Sequence, residues 1–275
     1  MSKIERDKRF TVLMPVHNRA DIFLLFEKAI HSVFENTVIP DELVLIVDGP
    51  LEERFKENIH ALAKIYPIRV IWLLENSGIT NALNTGLATI HTKWIMRADA
   101  DDINLPNRFE LQIRILEAGY DLVGGAIEEV DYSGELLATK LVPLQEEAIR
   151  RFIKFRNPFN HMTVAFLTET AKRVGGYPEI PLKEDYALWA SFLKQGAKVV
   201  NLQNILVRAT TGKAMYARRG SWKGVISEIS LQRHLHACGL QSILGAIGIA
   251  SLRVIVLMLP SSTLSVFYRF FLRRS

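Results

Sequence analysis

Trp94-Ile-Met-Arg-Ala-Asp-Ala-Asp-Asp-Ile103 is the stretch on which the reading of the whole chain turns. Trp94, Ile95 and Met96 have the length and composition of a short buried strand, and Asp99, Asp101 and Asp102 follow almost together. Burying these carboxylates unpaired would be costly. If the strand runs on into the first aspartates, residues two apart share a side, so Asp99 and Asp101 face together and Asp102 faces away. Two oxygen ligands on one side, with no Cys or His nearby, suit Mg2+ or Mn2+ carrying a substrate's phosphates. An acidic turn after a strand fits the same residues, because Asp is common wherever chains reverse.

Working outward, 10–14 is a buried-strand pattern stopped by Pro15, and the chain from Val16 opens a helical stretch to about 35. A second apolar strand over 43–47 delivers Asp48 with Gly49-Pro50 behind it. Ligands gather at the carboxyl ends of strands in open α/β sheets, so Asp48 and Asp99 are expected to line one crevice. A helix over 52–65 and a strand over 68–73 precede Glu75-Asn-Ser-Gly78, a glycine-bearing loop that opens a helix at about 79. Such a loop can hold an anion, although its spacing is neither that of a phosphate-binding P-loop nor that of a dinucleotide fingerprint. A helix from Pro106 to about 118 and a strand over 121–126 continue the alternation, which predicts an α/β class with a mostly parallel sheet. Beyond it come a β-hairpin over 129–142 around Ser133-Gly134, a helix over 145–154, an apolar run over 162–166 and strands over 197–207. Between the last two, 183–193 forms an amphipathic helix with Glu184 and Asp185 in its first turn. Acids there are also the ordinary partners of a helix N-terminus.

A chain of 275 residues can bury one catalytic domain plus an appendage. The single Cys238 excludes an internal disulfide, and no Cys/His cluster has zinc spacing. The first nine residues are polar and lack an apolar signal core, which predicts a cytosolic active site. Charge is distributed unevenly. From Lys213 onward nine Lys or Arg stand against the single acid Glu228, whereas the preceding 212 residues carry a net −3. This basic tail is also the most apolar part of the chain, which favours an anionic membrane surface over nucleic acid as its partner. The expected division is a catalytic domain over 1–230, with halves of about 1–125 and 126–230, and a membrane-associating tail over 231–275. Within the tail, 239–259 is a 21-residue apolar run interrupted by Gln241, Ser242, Ser251 and Arg253. It would just cross a ~30 Å hydrocarbon core, but a central Arg is expensive there. Helices lying in the cytosolic leaflet are therefore preferred to a spanning helix or a soluble dimerisation hairpin. The segment 211–222, with Lys213, Arg218, Arg219 and Gly220, reads as a basic loop.

Six motifs in this order resemble glycosyltransferase family 2, the inverting enzymes of the GT-A fold. They are Met14-Pro-Val-His-Asn-Arg19, Val47-Asp48-Gly49, Asn76-Ser-Gly78, Ala82-Leu-Asn84-Thr-Gly86, Arg97-Ala-Asp-Ala-Asp-Asp102 and Lys183-Glu-Asp185. Asn157-Pro-Phe-Asn-His161, Gly175-Gly-Tyr177 and Arg218-Arg219-Gly220 resemble the branch that builds bacterial O-antigen, capsule and exopolysaccharide repeats. Two departures stand out. Val-Asp-Gly-Pro replaces the usual Asp-Asp-Gly-Ser, leaving only Asp48 for the base of the nucleotide. The Gln-x-x-Arg-Trp of processive synthases is absent, which implies one sugar added per encounter.

The resemblance implies a UDP-sugar donor bound by Pro15, Asp48, Asn76, Gly78, Asn84, Arg97 and Asp99, with Arg218 and Arg219 on the pyrophosphate. It implies Mn2+ or Mg2+ on Asp101 and Asp99, Asp185 as catalytic base with Glu184 as its fallback, and His161, Asp102 and Trp189 on the acceptor side. The implied acceptor is a polyprenyl-diphosphate-linked saccharide at the cytoplasmic face of the plasma membrane. Three rival readings remain. A sugar-nucleotide pyrophosphorylase should open with a glycine-rich loop that is missing after Met14. An aspartyl phosphatase should carry Thr or Val at the place of Ile103 and have its acids near the domain start. A membrane scaffold would need none of the aspartates.

Overall fold

The computed structural model describes residues 9–211 and 222–257. Its first half is a run of strand–helix units: β1 (Phe10–Val16), α1 (Ala20–Phe34), β2 (Glu42–Asp48), α2 (Glu53–Ile65), β3 (Ile68–Leu73), α3 (Ile79–Thr89) and β4 (Trp94–Arg97). The four strands are parallel in the order β3-β2-β1-β4. Both faces of β1 and β2 are covered, which is why these strands read as unbroken apolar runs rather than as alternating ones. Leu13, Val44, Ile46 and Ile95 pack to one side with α3, while Val12, Met14, Leu45, Val47 and Met96 pack to the other with α1 and α2.

One close approach fixes the position of α3. A Cβ on Gly86 would lie 2.4 Å from Leu13 Cδ1 and 3.1 Å from two atoms of Ile46. Gly86→Val should therefore destabilise the protein by ~1–3 kcal/mol through overpacking, even though glycine is itself a poor helix former. A thermal midpoint equal to or above that of the parent would contradict this.

The second half is mixed. It comprises β5 (Ile103–Asn104), α4 (Arg108–Glu117), β6 (Leu122–Val130), β7 (Leu136–Lys140), α5 (Glu146–Phe152), a 3-10 turn (His161–Thr163), β8 (Ala165–Leu167), α6 (Thr168–Arg173), α7 (Glu184–Lys194) and β9 (Val199–Thr210), then the helices α8 (Trp222–Ala237) and α9 (Ile243–Leu257). The sheet continues β4-β8-β6-β9-β5, with β7 hairpinned onto β6. The expected mostly parallel sheet is found, and it is mixed in this half: β6 and β9 pair in parallel, whereas β8, β7 and β5 run antiparallel to their neighbours. The three-residue β8 wedges between β4 and β6, antiparallel to both, and is too short to leave a period in the sequence.

Two expectations are corrected. β4 stops at Arg97, so the alternation argument for Asp99, Asp101 and Asp102 does not apply, and those residues sit in a loop. The strands expected over 197–207 are one twelve-residue strand, β9. The boundary placed at 230 falls inside α8, whose buried face carries Ser227, Glu228 and Gln232 among Val225, Leu231 and Leu235. Those polar positions mask its helical period. Among the described residues no helix is long and apolar enough to cross a membrane. Arg253, the residue that made a spanning helix expensive, is ion-paired to Glu228. Cys238 packs beside the core as a half-buried thiol.

Candidate active site

The register pairs Leu13 with Arg97 and Val16 with Val47, so Asp48 and Asp99 leave the sheet on either side of the end of β1. Asp48 is buried and accepts three hydrogen bonds, from Ser77 N (2.8 Å), Ser77 Oγ (3.1 Å) and Gly78 N (3.0 Å). Its carboxylate thus meets the start of α3, where unpaired N–H groups and the helix dipole favour a negative charge. Asn76 Nδ2 donates to the Asp48 carbonyl at 3.2 Å. Gly49 is obligatory at this junction, since its φ is 92° and a Cβ would stand 2.7 Å from Asn76 N. Asp48, Asn76 and Gly78 therefore form one interlocked corner beside Pro15.

Arg97 is the hub of the neighbouring cluster. Its side chain is fully buried, Nη1 lies 2.5 Å from Asp99 Oδ1, and Nε has no hydrogen-bond partner. Asp101 is pushed up to about 6, first by burial and then by the charge of Asp99, against the pull of Arg19 and Arg97. Arg19 Nη2 stands 3.9 Å from Asp101 while pairing with Asp21, which also accepts from Tyr132 Oη at 3.0 Å. Asp102, placed on the acceptor side by the sequence, is buried and accepts from Thr210 N at 2.9 Å. It ties the aspartate loop to the end of β9.

Glu184 and Asp185 open α7. Asn157 Nδ2 donates to Asp185 Oδ2 at 2.6 Å, and burial pushes the Asp185 carboxyl up against this bond, the Tyr186 N–H and the charges of Lys183 and Lys140. Glu184 is buried, has an unpartnered Oε2, and is pushed up to about 7 by burial and by Asp185. The Arg97 charge reaches Glu184 as well as Asp99, Asp101 and Asp102, so the two acidic groups share one electrostatic field.

Tyr177 lies between them. It feels Arg97, Asp185, Glu184 and Asp99 and shares a 3.1 Å hydrogen bond with His161 Nε2. Burial and Arg97 hold His161 well below the usual imidazole range, so it is neutral.

The structure moves two expected ligand contacts into the framework. The Asn84 side chain is spent at both ends on the Tyr177 backbone, accepting its N–H at 2.8 Å and donating to its carbonyl at 2.9 Å. Trp189 is fully buried among Phe159, Phe166 and Phe192, because α7 is buried all round over 186–193 rather than amphipathic. Arg218 and Arg219 lie outside the described residues. Sequence reasoning missed Arg19, Ser77 and Asn157 as site residues. All three stood inside motifs already singled out, Met14–Arg19, Asn76–Gly78 and Asn157–His161, without being given a role.

Asp99 and Asp101 supply two hard oxygen donors whose mutual repulsion a divalent cation would relieve, so the donor set fits Mg2+ or Mn2+. Among the described residues no group of three or more His, Cys, Asp or Glu forms a closed cage. Further ligands for an ion held there would come from phosphate oxygens and water.

Strand ends that gather carboxylates around one buried guanidinium, facing a second acid pair, define an α/β enzyme that binds its ligand outside the sheet's carboxyl edge. A family model, glycosyl transferase family 2, matches residues 11–173, and the chain belongs to that family. It is 35% identical over 269 residues, 97% of each chain, to the UDP-Gal:alpha-D-GlcNAc-diphosphoundecaprenol beta-1,3-galactosyltransferase of Escherichia coli. It is 35% identical over 226 residues to the amylovoran biosynthesis glycosyltransferase AmsE of Erwinia amylovora, covering 82% of this chain and 84% of that one. The solved structure of S. aureus TarS 1-349 in complex with UDP-GlcNAc superposes with a TM-score of 0.65 at 16% identity, over 95% of this chain and 73% of that one. The mannosyltransferase PcManGT of Pyrobaculum calidifontis, in complex with GDP-Man and Mn2+, gives 0.60 at 15% identity, over 96% and 85%. These last two likenesses establish the GT-A fold.

Proposed function

We propose that this chain is an inverting, metal-dependent hexosyltransferase that moves one galactose or glucose from a UDP-sugar to a polyprenyl-diphosphate-linked saccharide during surface-polysaccharide assembly. The observation that carries it is Arg97, a buried cation in electrostatic reach of both the Asp99–Asp101 loop and Glu184. The name of the Escherichia coli relative supplies the chemical class of donor and acceptor, and that of the Erwinia amylovora relative the setting of surface-polysaccharide synthesis.

In this reading the uridine sits against Pro15, Asp48 and Asn76, at the corner capped by Gly78. Asp99, fixed by Arg97, and Asp101 would hold Mn2+ or Mg2+, which when bound would supply neutralising charge to the departing diphosphate. Inversion needs a base opposite the leaving group, and Asp185, oriented by Asn157, accepts the proton of the acceptor hydroxyl. The hydroxyl oxygen forms the new glycosidic bond as the bond to UDP breaks. Tyr177 and neutral His161 flank the acceptor side. The tail keeps this face beside the lipid-linked acceptor at the cytoplasmic surface of the plasma membrane.

Isothermal titration with UDP tests the reading at its root. Heat is expected with Mn2+ and little without it, and a scaffold gives none in either case. A donor screen over UDP-sugars with a synthetic GlcNAc-diphosphate lipid then names the hexose, and absence of turnover with every donor would refute the proposal.

A further inference from the structure

Arg253 belongs to the most apolar helix described, α9, yet it turns inward while Leu244, Ile247 and Leu252 of the same helix face out. Nη1 donates to Glu228 Oε2 at 2.8 Å, and Nη2 donates to the carbonyl of Phe155. Each contact leads to Asp185 by its own route. Glu228, only 2% exposed on α8, also pairs with Lys183 Nζ at 3.5 Å, and Lys183 immediately precedes Glu184 and Asp185. Leu182, one residue earlier, is held at φ 64°, a left-handed conformation costly for a non-glycine residue, so the entry to α7 is constrained by its surroundings. Phe155 lies two residues before Asn157, the partner of the Asp185 carboxylate. One guanidinium therefore braces both chain segments that meet at Asp185.

We propose that Arg253 is a positioning residue for the acid pair, setting the entry of α7 through Glu228 and Lys183 and setting Asn157 through Phe155. This deepens, and rests on, the reading of Asp185 as base. Stability alone does not account for the arrangement, because a buried Arg–Glu pair is often replaceable by apolar side chains at no cost to folding. Its supports are complete: Gln232 Nε2 donates to Glu228 Oε1 at 2.9 Å, and Gln241 Nε2 donates to Gln232 Oε1 at 3.0 Å. The charged and titratable groups that face the pair are Lys183, Lys140, Tyr177, Tyr186 and Arg97, and those that face Glu228 are Arg253, Lys183 and Tyr186.

The test compares Arg253→Met and Arg253→Lys in the full chain by steady-state kinetics across pH, with UDP–Mn2+ calorimetry and thermal midpoints alongside. Arg253→Met should lower kcat by roughly 10- to 100-fold through displaced geometry. Donor KM and UDP affinity should stay within about twofold of the parent. Its acid limb should move to higher pH, because Lys183, left as the partner of Glu228, relieves Asp185 less. Arg253→Lys keeps charge at Glu228 but cannot reach Phe155 as well, so the limb should stay while kcat falls less. Parent-like kcat and limb in both variants would overturn the proposal, as would a loss matched by an equal loss of UDP affinity. If Arg253→Met does not fold, Arg253→Lys decides: lowered kcat with intact UDP binding supports, and unchanged kcat overturns. Inactive Asp185→Asn beside unaffected Arg253 variants would sink only the positioning role, whereas active Asp185→Asn would sink the base assignment.

Discussion

Asp101→Asn is expected to lower kcat/KM by ~10³-fold without lowering the thermal midpoint at neutral pH. A unit charge pair at ~4 Å and an effective dielectric near 20 is worth roughly 4 kcal/mol, and ~1.4 kcal/mol is a factor of ten in rate. The stability half follows from the direction of the shift. Asp101 has a folded pKa raised to about 6 from an ordinary 3.8, so between those values the folded state holds more proton than the unfolded one. Stability therefore falls as pH rises through that window, and a neutral Asn removes the cost. Asp99→Asn is a poorer test. It strips the fully buried Arg97 of its ion-pair partner, and leaving a buried charge uncompensated costs ~3–5 kcal/mol by itself. The same shift predicts that Mn2+ affinity rises with pH until Asp101 has lost its proton near 6 and then levels. Near-parental turnover in Asp101→Asn would remove this residue from the chemistry.

The parallel strands β1, β2 and β4 were legible because each is buried on both faces, and β2 and β4 end at or just before an acid. Asp48 illustrates this: an unbroken apolar run that stops at Asp-Gly marks the end of a buried strand, and that strand end is where the carboxylate stands. The second half resisted reading for opposite reasons. β8 is three residues long, and α8 buries Ser227, Glu228 and Gln232 where the helical period calls for apolar residues. Trp189 and Asn84 show a different limit. Both lie in stretches that the motifs single out, yet one fills the core and the other clamps the Tyr177 backbone. A motif marks a neighbourhood, whereas the division of labour within it depends on neighbours distant in the chain. Arg253 makes the point most directly, since as a sequence position it interrupts an apolar run and in three dimensions it answers Glu228.

Asp185→Asn should reduce kcat by ~10²–10⁴-fold, the range expected for loss of a general base, with UDP affinity essentially retained. Asn is isosteric and keeps the contact with Asn157, so the loss would report proton transfer rather than collapse of the start of α7. The pH profile separates this residue from its neighbour. Glu184 is raised to about 7 and Asp185 is raised with it, so the pair holds a proton as pH falls below neutrality and the parent's kcat should decline there. Glu184→Gln removes the adjacent negative charge, which lets Asp185 ionise more readily and should carry the acid limb to lower pH with a much smaller loss of rate. The converse pattern, a dead Glu184→Gln beside an active Asp185→Asn, would exchange the two roles. Burial also dictates that outcome's physical limit: Glu184 Oε2 lacks a partner inside the fold, so Glu184 could serve as base only if the acceptor hydroxyl itself supplied the missing hydrogen bond.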